Sequence, residues 1–508
     1  MSRFQNKRAP KKSKPSNEKH KEPKTFEEFM EEGVEYEDKG ERYATGDRAQ
    51  RNYERALEMY SKAHVLNPND SDCLYNWGRV LFLLLNFLPA HTLPEEKLER
   101  VDRSIEKFRQ ALSLEPNKTD VQFNLGQALH LRSEILQETT EIDGAYRDSA
   151  MALQEAIDLF DTVYKLQEEE YKGSQSATEK EGENEEQDVT MQDSQEEKEE
   201  VKESQGDVTT VTQVEATTVQ SLIETLLSGA EAMSTMASLL ASVAASMDLF
   251  NKARRNLSMA EKWLSEIPET DKDHKQLRIQ INLKEAQTFA AMADRSFLAS
   301  NQVDRSLYDQ AIQRLDDIVE RMEPRHVEAC CDRGDVLTSY AQALVDQSEK
   351  TKTPLVPETS GKEVWQLYSQ ANKSFQVALQ IESKNLSILN KLGDLSIARA
   401  RLPLPVAERN KLQLLKNAEF YFKQAVDTDK QVLTSGWIGW AFSAWTVEAW
   451  GNVQGKKSEA GKIIQTWIKR GGRGSLFQDM VDDNDTLDPE FVRWASDSFF
   501  DGEDSDSD

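Results

Sequence analysis

Residues Ser104–Leu129, SIEKFRQALSLEPNKTDVQFNLGQAL, decide the fold. They read as the second helix of one helical hairpin, a proline turn, and the first helix of the next. Ile105, Phe108, Ala111, Leu112 and Leu114 recur at helical spacing, which gives an apolar stripe. Pro116 has no backbone N–H to donate, so it stops that helix. Asn117 and Thr119 supply turn and cap oxygens. Val121, Leu125, Ala128 and Leu129 begin a second stripe, and Gly126 sits inside it. An interior helical glycine costs about 1 kcal/mol against alanine, so it predicts another helix passing close by.

The same punctuation recurs along the chain. Pro68 precedes Gly78 by ten residues, as Pro116 precedes Gly126 and Pro324 precedes Gly334; Ser383 precedes Gly393 at the same interval. Small–aromatic–small triplets occupy matching places: Ala56/Tyr60/Ala63, Ser104/Phe108/Ala111, Ala371/Phe375/Ala378 and Ala418/Phe422/Ala425. With Leu74, Trp77, Gly78 and Leu81, and again Leu125, Gly126 and Leu129, this resembles the tetratricopeptide repeat (TPR) family. The resemblance covers roughly residues 25–165 and 300–430. It implies an all-α solenoid of helical hairpins, a scaffold and not a function. The triplets at 56 and 104 stand 48 residues apart and those at 371 and 418 stand 47 apart, against about 34 in the usual repeat. The surplus, such as Asn86–Arg100 with Pro89 and Pro94, is expected in longer helices or looped hairpin tips. The stretch around Trp77-Gly78 and Leu125-Gly126 also looks like the plant-type mitochondrial import receptor, a family that carries a membrane anchor.

The chain of 508 residues is acidic, with a formal charge of −27. Residues 1–24 hold nine Lys/Arg against two Glu, so the remainder carries −34. Such a field repels phosphate, so direct DNA binding is not expected; it attracts basic partners. The three cysteines, Cys73, Cys330 and Cys331, cannot make a disulfide framework and point to a reducing compartment. No apolar run reaches the ~18 residues that span a bilayer, and the N-terminus shows no signal-peptide apolar region. No membrane association is expected.

Six segments follow from composition. Residues 1–24 are a disordered basic tail; Lys7, Arg8, Lys11, Lys12 and Lys14 form a cluster of nuclear-localisation type, or simply a soluble basic arm. Residues 25–166 are TPR-like repeats, starting at a capping-box pattern Thr25-x-x-Glu28. Residues 167–215 read as a disordered acidic insert: 167–207 contain sixteen Asp/Glu and four Lys, too little apolar surface to offset ordering entropy. Residues 216–433 resume the repeats, with a stripe of Met233, Met236, Leu240, Val243, Met247 and Phe250. Residues 434–500 hold six of the nine tryptophans and read as a helical cap over the solenoid end, or an aromatic peptide-binding patch. Residues 501–508, DGEDSDSD, are an acidic tail.

No catalytic pattern stands out. There is no phosphate loop, no dinucleotide fingerprint and no nucleophile elbow. The six histidines (20, 64, 91, 130, 274, 326) are scattered and offer no zinc spacing. No enzyme activity, cofactor or metal is expected.

What the TPR resemblance implies is a groove lined by the first helix of each hairpin. Its inward places are Asp72, Tyr75, Arg79 and Phe82 after Pro68, and Asp120, Phe123, Gln127 and His130 after Pro116. After Pro324 they are Glu328, Cys331, Asp335 and Thr338, and after Ser383 they are Ser387, Asn390, Asp394 and Ile397. Asn76 and Asn124 match the asparagine place of the family's clamp for heat-shock-chaperone peptides, but Asp120 and Asn124 stand where its basic members belong. That argues against a heat-shock cochaperone. The expected function is a non-enzymatic interaction scaffold in nucleus or cytoplasm. It would hold a basic segment of a protein partner, as an assembly chaperone for histone- or ribosomal-type proteins or as an adaptor. The alternatives are a structural subunit whose acidic segments serve solubility, and an enzyme with an unrecognised site.

Overall fold

The computed structural model describes residues 23–89, 92–138, 142, 144–187, 217–431, 434, 436–482, 484 and 486–500, with backbone alone for 176–187. The basic cluster Lys7–Lys14 and the run 501–508 lie outside the described residues. Every regular element described is helical.

The chain divides into two compact units. The first comprises residues up to Leu88, Leu93–Leu239 and Asn251–Arg278. It is built from α1 (Phe26–Tyr43), α2 (Gly46–Leu66), α3 (Ser71–Leu84), α4 (Pro94–Leu114), α5 (Thr119–Gln137), α6 (Ala145–Gln187) and α7 (Val219–Leu239). The second contains Leu240–Phe250 and everything from Ile279. Its helices are α10 (Arg305–Asp316), α11 (Val327–Lys350), α12 (Ser360–Ile381), α13 (Leu386–Arg401), α14 (Pro405–Thr428), α15 (Gly436–Ala449), α16 (Lys456–Ile468), α17 (Gly474–Asp482) and α18 (Pro489–Phe499). Two helices, α8 (Val243–Leu264) and α9 (Lys272–Ser300), give residues to both units.

Local chemistry sets the helix starts. Thr25 and Glu28 form a reciprocal capping box: Glu28 N–H donates to Thr25 Oγ1 at 3.2 Å, and Thr25 N–H donates to Glu28 Oε2 at 3.2 Å. Asp70 caps α3 by accepting from Cys73 N–H at 2.7 Å. Helices α4, α14 and α18 open on Pro94, Pro405 and Pro489, where the missing N–H costs nothing.

The hairpins close through a glycine and an aromatic ring. A Cβ on Gly126 of α5 would lie 2.8 Å from the ring of Phe160 on α6. Gly78 meets Phe108 and Gly393 meets Phe422 in the same way, at 2.8 and 2.5 Å. Residues 119–137 and 145 onward thereby pack at a distance no side chain permits. The structure is a TPR-like array of helical hairpins, as the triplets imply. It also holds a hairpin that the proline-to-glycine spacing does not mark: Gly33 of α1 lies against Tyr60 of α2, 2.6 Å from a built Cβ. The extra length over the usual repeat sits mainly in long second helices, such as the 21 residues of α4.

Two boundaries differ from the sequence reading. Helix α6 does not stop at residue 166 but continues to Gln187. Its residues 167–175 are held by tertiary contacts that composition does not reveal. Gln167 is buried and accepts from Thr225 Oγ1 at 2.8 Å. Glu170 accepts from Thr217 Oγ1 at 2.5 Å. Tyr171 stacks edge-on against Trp263 at 5.6 Å. The rest of the insert, 188–215, lies outside the described residues. The methionine stripe is also divided, because α7 ends at Leu239 and α8 starts at Val243; Met233 and Phe250 are buried in their own helices while Val243 is exposed.

The tryptophans of 434–500 chiefly build a core. Trp437, Trp445 and Trp467 are buried with Phe442, Phe477 and Phe491, packed with Phe422 and Leu415 of α14. Trp440, Trp450 and Trp494 are partly buried around them.

Candidate functional site

First helices of successive hairpins are joined by polar rungs across the face that carries the expected groove positions. In the first unit, Lys118 at the start of α5 pairs with Asp72 of α3. Asn124 of α5 donates to the hydroxyl of Tyr75 on α3 at 3.2 Å. Gln127 of α5 donates to Ser228 Oγ on α7 at 2.6 Å, and His130 Nε2 lies 3.2 Å from Thr235 Oγ1 on α7. Gln127 and His130 are therefore engaged by the next helix. Phe123 is a core residue, 5 % exposed, with its ring 5.6 Å from that of Phe160. Phe82 is half-buried and Asp120 exposed.

Arg79 is bound from within. Its guanidinium lies 2.5 Å from the Glu37 carboxylate and 3.8 Å from Glu41. Glu37 is buried, accepts from Tyr60 Oη–H at 2.9 Å, and has its carboxyl pushed up by burial, against the opposing pull of Arg79. This is a structural knot between α1, α2 and α3. Glu37 is invisible to a groove template because it belongs to α1, whose hairpin the template does not mark.

In the second unit the same face carries more acid. Glu328, Asp332 and Asp335 follow one another at helical spacing on α11. Asp335 is paired with Lys391 of α13 at 2.5 Å. Asp332, which the groove places omit, accepts from Gln287 Nε2 of α9 at 2.8 Å. Burial raises its carboxyl to about 6; the hydrogen bond from Gln287 opposes this, the charges of Glu328 and Asp335 add to it, and the charge of Lys284 opposes it weakly. On α13, one turn beyond Lys391, burial raises Asp394 to about 6 as well. It accepts a long hydrogen bond from Thr486 Oγ1, at 3.5 Å. Neither Asp332 nor Asp394 forms an ion pair among the described residues. Ile397, by contrast, is fully buried core; Glu328 and Ser387 are exposed, and Cys331, Thr338 and Asn390 half-buried. Asp332 is legible in hindsight, as the acid one turn after Glu328 and three residues before Asp335.

Among the described residues no group of His, Cys, Asp or Glu is arranged to hold a metal. No described helix is long and apolar enough to cross a membrane.

The hairpin array defines a class: a TPR-like helical-repeat fold, which fixes a scaffold and not by itself a function. Residues 47–220, less than half of the chain, match the family described as plant-specific mitochondrial import receptor subunit TOM20. A stretch of 104 residues is 31 % identical to the UPF0656 protein C926.02 of Schizosaccharomyces pombe, covering 20 % of this chain and 23 % of that protein. The match thus spans about a quarter of the curated relative's length. A chain of the crystal structure of the APC/C hetero-tetramer Cut9–Hcn1 aligns over 92 % of this chain and 90 % of its own. It does so at 12 % identity and a TM-score of 0.18.

Proposed function

We propose that the protein is a non-enzymatic scaffold whose second unit holds a basic segment of a protein partner on the α11–α13 face, as a chaperone or adaptor for that partner. One observation carries this reading. Asp332 and Asp394 are desolvated carboxylates, each raised to about 6, and neither lies in an ion pair among the described residues; the charge of Lys284 offsets the burial of Asp332 only as the weakest of the influences on it. A lysine or arginine from outside would relieve the cost of holding those charges. Neighbouring Asp335 and Lys391 show the same face already using that chemistry internally. The acids Asp72 and Asp335, neutralised by Lys118 and Lys391, are not the ones left for a partner.

The test is fluorescence anisotropy with a labelled octalysine peptide and the full chain. Replacing Asp332 and Asp394 by asparagine is expected to weaken binding roughly tenfold, the scale of two partly screened pairs. Unchanged binding would move the site elsewhere.

A second reading rests on the match of residues 47–220 to the import-receptor family. There the first unit would receive a basic amphipathic helix of targeting-signal type. Substituting the second-unit acids would then leave capture of such a helix intact.

A further inference from the structure

The apolar stripe of α3 runs on past the helix. Leu81, Leu84, Leu85 and Leu88 recur at intervals of three, one and three, the spacing of a single helical face. A 3-10 turn, Leu85–Phe87, carries the stripe into the residues that lengthen this repeat. Leu88 N–H donates to the Leu85 carbonyl at 3.2 Å and closes the turn. Phe87 is set against α2, its ring 5.8 Å from that of Tyr53.

The stripe lines a cavity of about 200 Å³ within the first unit. Leu57 of α2, Leu84 of α3, and Leu85, Phe87 and Leu88 at the turn are half-buried in its wall. A cavity of about 150 Å³ takes a benzene ring, so this one admits a single leucine or phenylalanine side chain. Its polar wall comes from α2 and α4, as Gln50, Glu54, Arg100 and Arg103. Gln50 Nε2 donates to Glu54 Oε1 at 3.0 Å, and Arg100 pairs with Glu96 at 2.7 Å. Arg103 is exposed and pairs with no carboxylate among the described residues.

An apolar cavity with one unengaged cation at its edge is complementary to an apolar side chain with an acid beside it. We propose that this pocket docks a segment of a protein partner that presents one leucine or phenylalanine next to an aspartate or glutamate. The apolar side chain fills the cavity, and the carboxylate pairs with Arg103. A side chain anchored in a pocket supplies most of the binding energy of such a contact; the exposed ion pair adds selectivity more than strength. The pocket belongs to α2, α3 and α4, and its test does not depend on the α11–α13 acids.

The probe is the peptide Gly-Ser-Asp-Phe-Asp-Ser-Gly, titrated into the full chain to about 5 mM and followed by leucine-methyl NMR. Saturable shifts of the Leu57, Leu84, Leu85 and Leu88 methyls are the expected result. Alanine in place of the peptide's phenylalanine should weaken binding roughly tenfold or more, because the buried side chain is lost. Arg103→Glu, an exposed change, should weaken the acidic peptide about three- to fivefold and leave a Ser-Phe-Ser version unaffected. Leu88→Trp should block the pocket; if that variant melts early, Arg103→Glu and the peptide series still decide. No shifts of these methyls, or equal binding of the phenylalanine and alanine peptides, would overturn the proposal. So would tighter binding of a Lys-Phe-Lys version, which would give the pocket to the Glu54 carboxylate, or an acidic peptide indifferent to Arg103→Glu.

Discussion

The ring of Phe160 on α6 occupies the place that a side chain on Gly126 of α5 would need, with ring carbons 2.8 Å from a built Cβ. Gly126→Leu is therefore expected to destabilise the first unit by about 1–3 kcal/mol or more, read as a lower midpoint in urea. The double variant Gly126→Ala/Phe160→Leu should lose less than Gly126→Ala and Phe160→Leu summed, because the smaller ring-free side chain makes room for the added methyl. Wild-type stability for Gly126→Leu would mean the hairpin is not closed there.

Asp394 gives a pH signature of definite sign. Its folded carboxyl titrates near 6 against 3.8 for the ordinary group. Between those values the folded state holds more protons than the unfolded one, so this residue lowers stability as pH rises through about 4 to 6. Asp394→Asn removes the penalty. The variant is expected to be more stable than the parent at pH 7.5 by about 1–2 kcal/mol, discounted for its half-exposure. Near pH 3.5 the two should melt together. Parallel loss of stability at both pH values would show a hydrogen bond, not a desolvated charge, to be what matters there.

The Glu37–Arg79–Tyr60 knot is structural. Glu37→Ala leaves the Arg79 guanidinium facing a buried gap and is expected to cost about 3–5 kcal/mol. Tyr60→Phe removes one hydrogen bond to a charged group, about 1.5–3 kcal/mol. Thermal denaturation of the two single variants and the double should show strong non-additivity, since they share one network. Additive losses would contradict the shared contact at 2.9 Å.

Beyond residue 166, α6 is held by Tyr171 on Trp263 and by Thr225 on Gln167. Tyr171→Ala is expected to lower stability by about 0.5–1.5 kcal/mol beyond the area it buries, with faster amide exchange across 164–175. No change in exchange would mean the helix holds itself without these contacts.

Much of the fold is written in local spacing. The Pro116–Gly126 interval and the Phe108 triplet mark α4 and α5 because proline stops a helix and glycine admits a ring, and both act over a few residues. The α6 extension is not local. Gln167 and Tyr171 look like polar insert until Thr225 and Trp263, 58 and 92 residues on, are folded against them. The face positions Asp72, Asp335 and Asp394 were accessible through register. Whether each acid is free or paired was not, because Lys118 and Lys391 come from the next hairpin. Phe123 and Ile397 stood in groove places by count yet are core, since neighbouring helices close over them.

The basic-segment reading is tested most directly by proton linkage. Octalysine binding to the full chain is followed by calorimetry near pH 6 in two buffers of different ionisation enthalpy. A cation settling on Asp332 and Asp394 lowers their affinity for protons, so binding should release protons, on the order of one per complex, and Asp332→Asn/Asp394→Asn should bring that number close to zero. Binding with no proton release at pH 6, or release that survives the double substitution, would contradict the assignment of these two carboxylates as the seat of the partner.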